Sequence, residues 1–291
     1  MDFLATCLQA ATPIWLAALG GLYAQRAGVL HLGLEGLMLV GAFGVVALGA
    51  KTGSMTAAIT LTIAINLVLS LIFWLLITHL RANVIIVGLA LSLLAASATT
   101  FGLVAMFGSQ AALQSDLRLA RLFGGDLTIL TAFAAVASVV TWVLINRTRW
   151  GLRLTVCGRD TFAARSAGVH IDRARLAALL IAGTLCSLAG IELALANVQS
   201  FSQDMTQGRG YVAFIAVLLG GVTPLGTSIA SLFFGFTEAL GIESQLSLNG
   251  TVPTQVIQMI PYVVTIVAMV TAGAAYRRRG MSVTGTPEAL Q

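Results

Sequence analysis

The chain has 291 residues, of which 58% are hydrophobic and only 9% charged, with 16 Lys and Arg against 11 Asp and Glu. Soluble domains carry roughly 25% charged residues, so this composition excludes a water-soluble globular protein and requires a surface that mostly faces lipid. No segment is polar enough to form a separate soluble domain, so residues 1–280 read as one membrane domain and 281–291 as a short cytoplasmic tail.

Apolar windows of about 19 residues predict spans near 3–24, 28–49, 55–78, 83–107, 127–145, 176–196, 224–241 and 253–275, with a short apolar piece at 211–222. Only helices and closed barrels satisfy their own backbone in lipid, and the alternation of a barrel strand is absent. The expected fold class is all-α, a polytopic transmembrane bundle of eight to ten spans. Asp2 stands before the first span where a signal peptide has basic residues, and no small-residue cleavage site follows, so this span is expected to insert and remain. The piece at 211–222 is too short to cross about 30 Å of hydrocarbon at 1.5 Å per residue. It is either a half-helix entering from one side or part of a broken span, and the Gly-rich break at 220–226, with Pro224, separates it from the next full helix.

Basic residues in short loops stay cytoplasmic. The loop 146–175 holds Arg147, Arg149, Arg153, Arg159, Arg165, Arg173 and Arg175, and the tail adds Arg277, Arg278 and Arg279. Counting outward places Arg26 and Arg81 inside and Lys51, Arg118, Arg121 and Arg209 outside. The N-terminus is then outside if 211–222 takes part in a crossing. The basic excess follows from this topology and from attraction to anionic membrane lipid, and no nucleic-acid partner is inferred from it.

Three stretches carry information beyond hydropathy. In the loop 146–170, Gly151 and Gly158 are expected to end the preceding helix, Asp160 or Thr161 to cap a new one, and Gly168 to close it after about two turns. In residues 21–43, Arg26, His31 and Glu35 interrupt an apolar span. An ionised carboxylate at that depth costs a few kcal/mol unless paired or wetted, so Glu35 is expected to meet a basic partner such as Arg26, a backbone lock or a cavity. The third stretch, 208–236, contains the broken segment. Glu192 and Glu238, near the outer ends of their spans, are expected at the rim, while Asn66, Ser92 and Gln258 are expected to hydrogen-bond between helices or line a pathway.

Other chemistries find no support. Cys7, Cys157 and Cys186 have no CxxC spacing, and His31, His79 and His170 show no metal or haem spacing. The segment ALGAKTG at 47–53 lacks the glycine that a phosphate loop needs before Lys51, so the chain is expected to bind no ATP by that route.

The motif QRAGVLHLGLEGLMLVGAF resembles the early signature of the smaller permeases of nucleoside and simple-sugar ABC importers, relatives of ribose and branched-chain amino-acid permeases. TRWGLRLTVCGRDTFAARSAGV is similar to that family's cytoplasmic coupling segment, and GRGYVAFIAVLLGGVTPLGTSIASLFFGF to its late signature. The likeness runs from about residue 10 to 275. It departs from the family pattern at Gln25, His31, Ser92 and Arg159-Asp160-Thr161, of which the first three bear on substrate choice.

The resemblance implies a bacterial inner-membrane permease without enzymatic activity, binding no cofactor itself. ATP and Mg would be held by a cytoplasmic ABC ATPase, with a second homologous permease and an extracytoplasmic solute-binding protein or lipoprotein as further partners. It also implies an ATPase-coupling helix built from Gly158, Arg159, Asp160, Ala163, Ala164 and Gly168, with His31, Glu35 and Ser92 as translocation-pathway candidates. A permease for another small solute, or an ion-coupled secondary transporter, are the alternative readings.

Overall fold

The computed structural model describes residues 3–108, 112–115, 117–120, 127–247, 263–264, 267 and 270. Arg121, Gln258, the basic tail and nearly all of the expected span 253–275 lie outside the described residues.

The chain forms α1 (Phe3–Arg26), α2 (Leu34–Thr52), α3 (Met55–Thr78), α4 (Val84–Phe107), α5 (Ile129–Arg147), α6 (Arg149–Arg159), α7 (Thr161–Ser166), α8 (Ile171–Glu192), α9 (Arg209–Leu219) and α10 (Pro224–Ser247). A π-helical turn, Leu193–Asn197, extends α8. Among the described residues, seven helices are long and apolar enough to cross a membrane. Side-chain caps set several starts, since Asn83 Oδ1 accepts from the Ile85 and Ile86 amides at 3.0 and 3.3 Å, and Thr128 Oγ1 accepts from Thr131 at 3.3 Å.

The bundle has an inner and an outer set. The most apolar stretches of α1, α2 and the extended α8 are 61%, 72% and 67% buried, against 22%, 28% and 28% in α3, α4 and α5. The outer set therefore shows one apolar flank to its surroundings, as a helix in lipid must. In α3 this flank includes Leu61, Val68 and Ile72, whereas the opposite flank buries Ala58, Thr62, Asn66, Ser70 and Phe73.

The expected span 28–49 begins later than its hydropathy suggests. Residues 27–33 are non-helical but mostly buried, with Gly28 at φ +78°, and α2 starts only at Leu34. The short apolar piece resolves as part of a crossing. Two three-residue strands, β1 (Ala112–Gln114) and β2 (Ser200–Ser202), pair antiparallel at one end of the bundle. From there the chain descends along α2, with Phe201 against Phe43 (ring centroids 5.2 Å apart) and the Gly208 amide reaching Glu35. Helix α9 continues until Val217 lies beside Gly21 and Leu34 near the other end. Non-helical descent and half-helix together traverse the bundle, which no 11-residue helix of about 16 Å does alone. Helix α10 then returns along α1, where Gly235 packs on Ala11. The start of α1 lies beside Asn197, at the end opposite the basic loop, whose Gly158 touches Arg26.

Candidate functional site

The loop 146–175 folds as a helical elbow. The break falls at Thr148, whose Oγ1 accepts from the Gly151 amide at 3.2 Å, and Gly151 and Gly158 lie inside α6 and do not end a helix. Their reason for being glycine is contact. A Cβ on Gly151 would stand 2.2 Å from the Leu144 carbonyl oxygen, and one on Gly158 would stand 2.3 Å from that of Arg26. Asp160 caps α7, accepting from the Phe162 and Ala163 amides at 2.9 and 3.0 Å, and Gly168 closes the turn at φ +71°.

The two alanines named for the coupling helix part company. Ala163 is exposed, but Ala164 is wholly buried against Cys157 and Ile171 and belongs to the protein's own core. Ala164 is thus not a contact surface, because a helix of six residues turns adjacent positions to different sides. The outward face instead carries Phe162, 80% exposed, with Arg159, Asp160 and Ala163 beside it.

Several contacts tie the elbow to the bundle, three of them at the end of α1 and the segment that follows it. Gly158 packs on Arg26 and Gly28, Arg26 approaches Thr155 at 3.5 Å, and Arg175 Nε donates to the Ala27 carbonyl at 3.4 Å. These ties end on Arg26 and the segment 27–33, which leads directly to Glu35. Arg26 is therefore occupied elsewhere and does not pair with that carboxylate. Glu35 is 7% exposed and locks the start of α9, Oε1 accepting from Gly208 N at 2.9 Å and Oε2 from Gly210 N at 2.6 Å. A carboxylate at a helix N-terminus is stabilised by unsatisfied N–H groups and the helix dipole. Gly210 permits the approach, as a Cβ there would lie 2.5 Å from the Glu35 backbone. Arg209 in turn pairs with Glu238 of α10, its Nε 2.9 Å from Oε1, so Glu238 also anchors α9.

Of the other pathway candidates, Ser92 donates to the Leu32 carbonyl at 3.3 Å, and His31 is buried with its ring stacked on Phe73, centroids 4.3 Å apart. His31, Glu35 and Ser92 are thus brought to one region around the start of α2, though as packed groups and not as the lining of an open channel. Glu192, expected at the rim, is fully buried, and its Oε1 accepts from Thr128 at 2.6 Å. Thr128 contacts Thr131 at 3.1 Å, and Thr131 contacts Thr12 at 3.0 Å, giving a hydrogen-bonded seam across α8, α5 and α1.

A second polar seam lies between α2, α3 and α8 and is not bonded. Neither His31 ring nitrogen has a hydrogen-bond partner among the described residues, nor do Asn66 Nδ2 and Oδ1, Ser70 Oγ or Ser187 Oγ. All four side chains are buried. A Cβ on Gly183 of α8 would stand 2.2 Å from Ser70 Oγ and 3.2 Å from the Asn66 backbone carbonyl oxygen, and one on Gly41 of α2 would stand 2.7 Å from the Ser187 backbone carbonyl oxygen.

Residues 3–269 match the family described as branched-chain amino acid transport system / permease component. The chain belongs to this permease family. Relatives cover most of its length. The nucleoside ABC transporter permease protein NupC of Lactococcus lactis subsp. cremoris is 28% identical over 89% of this chain and 88% of its own. The guanosine ABC transporter permease protein NupQ of Bacillus subtilis is 30% identical with the same two coverages, and a putative glucose ABC transporter permease protein of Haloferax volcanii is 31% identical over 90% and 88%. In structure the chain is similar to PsaBC from Streptococcus pneumoniae in complex with Fab, with a TM-score of 0.53, 16% identity and coverage of 92% of this chain and 91% of that one. That likeness concerns fold alone.

The permease is a multi-pass subunit of the bacterial inner membrane, and its family consists of transport components and not enzymes. Sequence reasoning passed over Ser70, Phe73 and Ser187 and the Arg209–Glu238 pair. The signal for the first two was present: Thr62, Asn66 and Ser70 recur every fourth residue through the apolar α3 and point to one face.

Proposed function

We propose that this permease forms part of the translocation pathway for a nucleoside or a related sugar-containing solute, powered by a cytoplasmic ABC ATPase that docks on α7. The observation that carries the reading is Phe162, a large apolar side chain held outside the spans on a capped and glycine-closed helix whose inner side is built into the bundle. An exposed aromatic on a rigid support is an anchor for a pocket in another protein. The relatives carry the solute class, since nucleosides, guanosine and glucose all present a hydroxylated ring. A second homologous permease completing the pathway, an extracytoplasmic solute-binding protein and surrounding lipid are the remaining partners. ATP and Mg belong to the ATPase.

In mechanism, closure of the ATPase pushes on α7, and the elbow passes the displacement through Gly158 to segment 27–33. That segment moves α2 and, through Glu35, the half-helix α9, so that the bundle shifts between two packed arrangements. The deciding measurement is uptake of labelled guanosine and D-glucose by proteoliposomes containing the permease with its partners. Phe162→Glu should insert normally yet abolish ATP-driven uptake and ATPase retention on purification. Uptake by this chain without any ATPase, unaffected by Phe162→Glu, would establish a secondary transporter instead.

A further inference from the structure

We infer that the α2–α3–α8 seam is a closed subsite for the hydroxylated ring of the solute, with Asn66 and Ser70 as its specificity-determining hydrogen-bonding groups and Ser187 and His31 at its margins. This inference rests on the sugar-containing solute proposed above.

Four buried side chains with six polar atoms that have no partner among the described residues need an explanation, because buried polar groups are nearly always hydrogen-bonded. In the other polar seam of the same bundle, running from Glu192 to Thr12, every side chain has a side-chain partner and only Glu192 Oε2 is left over. The orphaned groups of α3 share one buried flank. Asn66, Ser70 and Phe73 lie at four- and three-residue spacing on the buried flank of α3. His31 stacks on Phe73, Gly183 faces Ser70 Oγ and the Asn66 backbone, and Ser187, one helical turn further along α8, meets Gly41 of α2 through its backbone.

The groups it offers select a chemistry. A primary amide supplies two donors and one acceptor, each serine hydroxyl both functions, and a neutral imidazole one of each. Vicinal hydroxyls on a sugar ring need this mixture of donors and acceptors within a short distance. The four orphaned groups are an amide, two hydroxyls and an imidazole, and Glu35, the carboxylate at the start of α2, is committed to the Gly208 and Gly210 amides. A zwitterionic amino acid would leave its ammonium and carboxylate without ionic partners here. A neutral hydroxylated ring would not.

The seam is closed in this arrangement, and α3 is the element able to open it. Its outer flank is apolar and exposed, and at Gly183 its contact with α8 has no side chain from the α8 side. Separation of α3 from α8 would expose Asn66 and Ser70 together, and a bound ring would supply the partners they lack. A site built to hydrogen-bond hydroxyls discriminates strongly against an analogue lacking one, by up to about 10⁴-fold where the groups are fully buried.

The test uses the reconstituted complex with its ATPase and other subunits, and compares guanosine with 2′-deoxyguanosine and D-glucose with 2-deoxyglucose. The wild-type complex should favour the fully hydroxylated member of whichever pair it carries. Asn66→Leu should raise KM for that solute on the order of tenfold or more and bring the preference toward unity, and Ser70→Ala should do the same to a smaller extent. Ser70→Ala removes one oxygen and keeps the inference testable if Asn66→Leu fails to assemble. Unchanged KM and unchanged preference in a transporting, assembled variant would overturn the subsite and make the seam internal polar packing. Wild-type uptake of neither solute would overturn the proposed solute class itself, and the subsite with it.

Discussion

The two polar seams of this bundle share α8 and obey different rules. Between α1, α5 and α8, each of Thr12, Thr131, Thr128 and Glu192 has a side-chain partner, and only Glu192 Oε2 is left over. Between α2, α3 and α8, His31, Asn66, Ser70 and Ser187 lie equally buried with none. Both use ordinary polar residues on apolar helices. The bonded seam joins elements that must stay together, whereas the orphaned one lies along the element least covered by the rest of the protein. Polar groups in lipid hold helices together only when they find each other; left unpaired they weaken the closed packing and favour whatever state gives them partners.

Five substitutions at four positions probe this contrast and the contacts around it. The largest loss of stability should come from Glu35→Leu, which strands the Gly208 and Gly210 amides at the start of α9 and should lower stability by about 3 kcal/mol, seen as an earlier melting transition in detergent. Glu35→Gln keeps one acceptor and should lose less, so equal losses would show that the carboxylate is not acting through those amides. Thr128→Val deletes both the cap of α5 and the donor to Glu192, with an expected loss of about 2 kcal/mol. Asn66→Leu should have the opposite sign, raising the melting temperature through a gain of about 1 kcal/mol, because it removes an unpaired buried amide. A lower melting temperature there would mean that Asn66 is satisfied after all and would erase the difference between the seams. Phe162→Ser should change stability by less than about 0.5 kcal/mol while reducing ATPase retention, since the side chain is exposed and touches no core.

Much of this arrangement was readable in the sequence because lipid imposes simple rules. The expected spans at 55–78 and 83–107 agree with α3 and α4 to within one residue, as uninterrupted apolar runs have no alternative to a helix. The cap at Asp160 and the closing turn at Gly168 were equally local features. What hydropathy misjudged was tertiary. Residues 28–33 are apolar enough to be helix, yet the chain unwinds there to let Gly28 meet Gly158 and to set Glu35 at the head of α9. Glu192 looked like a rim residue by its position near a span end, but Thr128, 64 residues earlier, draws it inside. Ala163 and Ala164 were equivalent as letters and separate only once α7 has an inside.

The contact of Gly158 with the backbone at Arg26 and Gly28 has a mechanical meaning. With bare backbone on both sides and a hypothetical Cβ only 2.3 Å from the opposing oxygen, the elbow and the membrane segment meet as two rigid surfaces without a compliant side chain between them. A flexible side chain would absorb the first part of any push by changing rotamer before its neighbour moved. Backbone against backbone has no such play, so in the proposed coupling a displacement at α7 would pass to segment 27–33 without loss to rotamer change, like a joint machined without clearance.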